Sequence, residues 1–213
     1  MSTTILFDFD YTLADSSDGI VACINHALGE LGESLRDRET CCATIGLSLA
    51  ETFRVLTGDD DTARASAFSE HFVAHADRVM VANARLYPGV CELIDRLHGN
   101  GHRLGIVSTK FAWRIRQILE PHALVDRFAA IVGGEEVSRH KPDPEGVRLA
   151  LARMRHRNGR VLLAGDSLTD AETARRCGID FIAVLTGTTG AEAFVDYRPR
   201  AVLSDITRIE QYL

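Results

Sequence analysis

Two aspartates one residue apart, Asp8 and Asp10, end an apolar run, Thr4 to Phe9 (TILFDF), that reads as a buried strand. Alternate residues of a strand face one side, so the two carboxylates point together. Paired acids at the end of a buried strand repel each other and resist desolvation, which calls for a cation beside them. Three other apolar runs end the same way. RLGIV leads into Ser108-Thr109-Lys110, IVGG leads on to His140-Lys141-Pro142, and RVLLAG leads into Asp166, with Asp170 four residues on. Each of these has an ordinary structural explanation when taken alone. Asp166 reads as a helix N-cap, Asp170 as a first-turn acid, and Ser108 and Thr109 as capping residues. Lys110 reads as a solvated surface lysine, and so would Lys141 by itself. Four acids, a hydroxyl pair and a lysine after successive strands would rarely coincide by chance.

The set suits phosphoryl transfer. Mg²⁺ takes about six oxygen ligands, usually including waters and a substrate phosphate. Asp8 and Asp166 can supply carboxylates, and a main-chain carbonyl near Asp10 completes the protein's share. Asp8 is then placed to attack phosphorus. Asp10 is placed to protonate the leaving oxygen and later to activate water. The Ser108 hydroxyl, neighbouring backbone N–H groups and Lys141 would hold the equatorial oxygens.

These residues need a scaffold that brings strand ends together. Strands are expected at Thr4–Phe9, Arg103–Ser108, Ala129–Gly133, Arg160–Gly165, Phe181–Leu185 and Ala201–Leu203. Helices are expected at Val90–His98, Phe111–Leu119, Pro144–Met154, Thr169–Cys177 and from Ile206. Short apolar strands alternating with helices predict an α/β fold, a Rossmann-like core whose parallel sheet is covered on both faces. Such sheets bind ligands beyond the carboxyl ends of their strands. Between Ala14 and Leu86 the periodicity is helical with no convincing strand, with candidate helices at Gly19–Leu31, Leu49–Leu56 and Asp60–Val81. The expected organisation is a catalytic core of residues 1–13 and 87–213, with an inserted all-helical cap, residues 14–86.

The chain has 213 residues, 46% of them hydrophobic, enough for one substantial core with an insertion. No apolar run reaches the length of a membrane span, and Met1 to Asp10 lacks the features of a signal peptide. Five cysteines without a C-x-x-C pair suit reduced thiols in the cytoplasm. The formal net charge of −6 argues against nucleic acid as a partner.

The sequence Asp8-Phe9-Asp10-Tyr11-Thr12-Leu13 resembles the D-x-D-x-T-[LV] nucleophile motif of the haloacid dehalogenase superfamily. Ser108 resembles its second motif, Lys141 its third, and Gly165-Asp166-Ser167-Leu168-Thr169-Asp170 its G-D-x-x-x-D fourth. The order is right and the motifs span the chain. The resemblance implies that Asp8 is nucleophile and metal ligand, and that Asp10 is acid/base, binding metal through its backbone carbonyl. It implies that Ser108 and Lys141 contact phosphate, with Thr109 beside them, and that Asp166 binds Mg²⁺ while Asp170 supports the metal site. Ala14-Asp15-Ser16, Thr44-Ile45-Gly46-Leu47-Ser48 and the helical insertion resemble the phosphoglycolate phosphatase-like branch. Tyr11 departs from the pattern, since many members have Gly there.

The function so implied is a Mg²⁺-dependent phosphatase acting on a small phosphorylated metabolite such as phosphoglycolate. Pyrophosphate, sugar phosphates and nucleotides are the alternatives within the family. Asp10 speaks against C–halogen hydrolysis, whose members resemble D-x-Y. A cap without lysine speaks against phosphonate cleavage, and Leu49 against the sugar phosphomutases, which carry Arg there. From a different class, a phosphorylatable receiver module would share acids and a lysine but lacks a helical insertion after strand one. Arg54 and Arg85 are the nearest cap cations for a substrate carboxylate.

Overall fold

The computed structural model describes residues 2–213, which form two compact units, one of residues up to 14 with 86–213 and one of residues 15–85. In chain order the elements are β1 (Thr4–Phe7), β2 (Ala14–Asp15), α1 (Ser17–Glu30), α2 (Arg38–Cys42), α3 (Leu49–Thr57), α4 (Thr62–Val79) and β3 (Arg85–Leu86). They continue with α5 (Val90–Gly99), β4 (Arg103–Val107), α6 (Ala112–Leu119), β5 (Phe128–Val132), α7 (Glu145–Arg153), β6 (Val161–Gly165), α8 (Leu168–Cys177), β7 (Asp180–Val184) and β8 (Ala201–Leu203).

The larger unit is built on a parallel sheet in the order β5-β4-β1-β6-β7-β8. Ile5, Leu6 and Phe7 are fully buried, as expected of a parallel strand covered on both faces. Leu6 packs in one cluster with Val107, Leu163, Phe181 and Phe194. The close fit at the centre needs Gly105, because a Cβ there would meet Leu6 Cδ2 at 2.8 Å and Met154 Sδ at 3.1 Å. From β1 the chain builds outward through β4 to β5, then returns to β6 on the other side of β1. The order therefore reverses at β1 and β6, and a ligand crevice forms outside their carboxyl ends at such a switch point.

The smaller unit is helical, with Ile24 and Leu28 of α1, Phe53 of α3 and Phe68 and Phe72 of α4 in its core. Local chemistry sets the helix ends. Ser48 and Glu51 form a capping box at the start of α3, Gly58 ends it with φ 73°, and Asp61 caps α4 by accepting from Ala63 and Arg64. Among the described residues no helix is long and apolar enough to cross a membrane.

Several expected boundaries shift. The first strand stops at Phe7 rather than Phe9, because the Phe9 carbonyl accepts from the amides of Thr12, Leu13 and Ala14 and closes a turn. The stretch expected to lack strands holds two very short ones, β2 and β3, which pair where the chain leaves and re-enters the larger unit. The helix Arg38–Cys42, started by the Asp37 side chain accepting from Thr40, is too short to give a periodic signal. The segment Ile206–Tyr212 is 3₁₀ rather than α-helical.

Leu6 is completely buried in the central strand, so Leu6→Ala should cost about 2–5 kcal/mol through lost burial and an unfilled cavity. Urea denaturation measures it, and a loss below ~1 kcal/mol would mean that β1 is not the centre of the core.

Candidate active site

The Asp8 amide donates to the Ala164 carbonyl at 2.9 Å, so the β1–β6 ladder continues one residue past the strand and fixes Asp8 at its tip. Asp10 lies in the following turn, opposite Ala14. That turn requires φ 59° at Tyr11, the left-handed region that disfavours any side chain by roughly 1–2 kcal/mol. This explains why glycine would suit the position. Here Tyr11 is held by its amide donating to Ala14 at 2.7 Å and by the Thr186 hydroxyl donating to its carbonyl.

Asp166 follows β6, and the Thr12 hydroxyl donates to its Oδ1 at 3.4 Å. It is not the N-cap of α8. Ser167 takes that place, and Asp170 closes the capping box with it, Oδ2 accepting from the Ser167 hydroxyl at 2.6 Å. Asp170 thus helps start a helix with one oxygen and meets Lys141 with the other. Gly187 lies so close to Asp166 that a Cβ on it would collide with the carboxylate.

Lys141, after β5 and preceding a cis Pro142, is buried. Its Nζ donates to Asp170 Oδ1 at 2.6 Å and sits 3.0 Å from Asp8 Oδ1, close enough for an ion pair but off the axis of a good hydrogen bond. The Ser108 amide donates to Val132 at 3.1 Å, which sets the residue at the end of β4. Thr109 is half-buried beside it.

Asp8, Asp166 and Asp170 each bring one carboxylate oxygen within 4.8 Å of the others, and all three are buried. Burial lifts the Asp8 carboxyl to about 6, with Lys141 opposing the rise and Asp170 and Asp10 adding to it. Burial, then Asp170 and Asp8, push Asp166 well above the usual carboxylate range. Burial alone would lower Lys141, but the carboxylates of Asp170 and Asp8 outweigh it and hold the ammonium above its ordinary value. When ionised, three carboxylates against one ammonium leave two negative charges uncompensated among the described residues, and oxygens at this spacing suit a divalent cation. The residues therefore fit the expected metal.

Lys110 corrects the sequence reading. It is a buried residue rather than a solvated one, and its Nζ lies 3.1 Å from Asp10 Oδ2. Thr12, Ser167 and Gly187 were also not singled out for the site. Thr12 carries a signal as the threonine of the first motif, and Lys110 as one of two lysines in the chain, directly after the strand-end hydroxyl pair. Of the arginines considered for a substrate carboxylate, Arg54 lies 3.9 Å from exposed Asp60, and Arg85 is exposed on β3.

A model of the haloacid dehalogenase-like hydrolase family matches residues 5–184. The chain is 30% identical to pyrophosphatase PpaX of Listeria monocytogenes over 96% of this chain and 93% of that protein. It is 33% identical to a phosphoglycolate phosphatase of Cereibacter sphaeroides over 86% of this chain and 85% of that one. A crystal structure of a candidate haloacid dehalogenase-like hydrolase from Bacteroides fragilis superposes with a TM-score of 0.94 at 40% identity, covering 98% of this chain and all of the other. A family model that covers most of the chain, the strand ends with their acid cluster included, leaves one conclusion: the chain belongs to the haloacid dehalogenase-like hydrolases.

Proposed function

We propose that this hydrolase is a Mg²⁺-dependent phosphatase that acts on a small phosphomonoester through an aspartyl-phosphate on Asp8. The observation that carries the reading is the buried trio Asp8, Asp166 and Asp170, two positive charges short of neutrality beside Lys141 when ionised. Asp8 and Asp166 would ligate the ion together with the Asp10 carbonyl, and Asp170 would hold Lys141 and the first turn of α8 in place. Mg²⁺ held there would supply charge neutralisation for the phosphate oxygens and favour the ionised Asp8 carboxylate.

In the first step an Asp8 carboxylate oxygen bonds to phosphorus as the bond to the leaving oxygen breaks, and Asp10 gives that oxygen its proton. In the second, Asp10 takes a proton from water as the water oxygen attacks phosphorus, which releases phosphate and frees Asp8. Lys141 and the Ser108 hydroxyl, with Thr109 alongside, hold the equatorial oxygens. A receiver-type signalling role has no support in the family match.

For the substrate, similarity to a phosphoglycolate phosphatase favours a small phosphorylated acid. A second reading, inorganic pyrophosphate, is favoured by similarity to pyrophosphatase PpaX over nearly the whole chain. Purified protein assayed with phosphoglycolate, pyrophosphate, hexose phosphates and nucleotides should give the highest kcat/KM on phosphoglycolate. EDTA should abolish turnover and Mg²⁺ restore it. Hexose phosphates or nucleotides at least about tenfold better would overturn the small-substrate reading, and full turnover in EDTA would overturn the metal.

Gly187 provides a separate check on the acid cluster. Gly187→Ala places a methyl group against the Asp166 carboxylate and forces it to move. The Mg²⁺ concentration for half-maximal activity should rise about 10–100-fold, as when a group supporting a metal ligand is lost. The thermal midpoint should change little. A rise below about twofold would show that Asp166 is not a ligand.

A further inference from the structure

We propose that Lys110 is a positioning residue for the acid/base. It holds one carboxylate oxygen of Asp10 and leaves the other to exchange the proton. The inference rests on the assignment of Asp10 as acid/base, and concerns which residue makes that assignment work.

Asp10 and Lys110 form an ion pair at 3.1 Å between side chains only 10% and 4% exposed. A buried ion pair repays little of its desolvation cost in stability, so its presence is poorly explained as a stabilising contact. The two oxygens of Asp10 have unequal surroundings. Oδ2 faces the ammonium, whereas Oδ1 is buried and makes no hydrogen bond among the described residues. An acceptor left unsatisfied in the interior is costly, and such atoms persist where a reacting partner is to be met. With Oδ2 held, rotation of the carboxylate is restrained and Oδ1 is the oxygen left to meet the leaving group.

Asp10 needs this help because it sits in a turn rather than on a strand. Lys110, in contrast, is rigidly mounted. Its amide donates to Ser108 Oγ at 3.3 Å, and its carbonyl accepts from Gly134 at 3.2 Å. The Ala112 amide, just beyond, donates to the Glu135 carboxylate at 2.9 and 3.0 Å. Gly134 approaches so closely that a Cβ there would collide with the Thr109 carbonyl. The two lysines of the chain therefore divide the site. Lys141 serves Asp8 and Asp170, and Lys110 serves Asp10.

The test uses phenyl phosphate, whose leaving oxygen needs a proton, and p-nitrophenyl phosphate, whose leaving oxygen hardly does, with Asp10→Asn as reference. Lys110→Met should lower kcat/KM on phenyl phosphate by about tenfold or more, and by clearly less on p-nitrophenyl phosphate. Inhibition by inorganic phosphate should stay within about twofold of the parent, because the phosphate contacts are untouched. The double variant Asp10→Asn/Lys110→Met should be no slower than Asp10→Asn alone, since Lys110 acts through Asp10. Equal losses on both esters with weakened phosphate inhibition would make Lys110 a phosphate ligand and overturn the proposal. So would a double variant clearly slower than Asp10→Asn. If Lys110→Met does not fold, the double variant removes both charges of the pair together, and its comparison with Asp10→Asn decides alone. If Asp10→Asn itself slows both esters equally, the acid/base assignment fails, a result distinct from failure of the Lys110 inference.

Discussion

The structure depends on one electrostatic imbalance. Asp8, Asp166 and Asp170 are gathered in the interior against the single ammonium of Lys141. Water would screen such a group, but here it is excluded, and burial is the largest influence on both Asp8 and Asp166. A fold optimised for stability alone would avoid this arrangement. Its persistence is the physical case for a cation and a charged substrate, and the surrounding architecture serves to enforce it.

The enforcement starts with strand order. β1 and β6 are neighbours at the point where the strand order reverses, which brings Asp8 and Asp166 side by side although they are far apart in sequence. Apolar strands buried on both faces give these tips a rigid base. The first turn of α8 then turns Asp170 inward, because one oxygen is used in capping Ser167 and the other meets Lys141. Glycines fill the remaining role. Gly165 and Gly187 have backbone against the carboxylates of Asp170 and Asp166, where no Cβ fits. Each device is local and ordinary, and their convergence produces the strained centre.

The sequence made much of this legible, for identifiable reasons. Buried parallel strands announce themselves as apolar runs, and their polar ends mark where a crevice must lie, so the positions of Asp8, Asp166, Lys141 and Asp170 are legible in the sequence. Short or tightly turned pieces were less legible. The helix Arg38–Cys42 has one turn and no periodicity, and the end of strand one is hidden because Phe9 is as apolar as Phe7 while its carbonyl is committed to a turn. The partner of Asp10 is hidden in the sequence for a different reason. Lys110 directly follows two polar residues, and local pattern favours an exposed position for a lysine there. In the fold it is buried against Asp10, with its carbonyl accepting from Gly134. Similarly, the cost of Tyr11 depends on a φ of 59° that residue type alone does not disclose.

In the proposed mechanism the Asp8 carboxylate forms a bond to phosphorus during turnover. Protein mixed with p-nitrophenyl phosphate and Mg²⁺ for less than one turnover, then quenched in acid, should carry a phosphoryl group. Borohydride reduction of the acyl phosphate should convert that aspartate to homoserine, which peptide mass spectrometry locates. The account predicts homoserine at position 8 and at no other aspartate. Homoserine elsewhere, or an unmodified Asp8 in protein that releases nitrophenol at its normal rate, would contradict it.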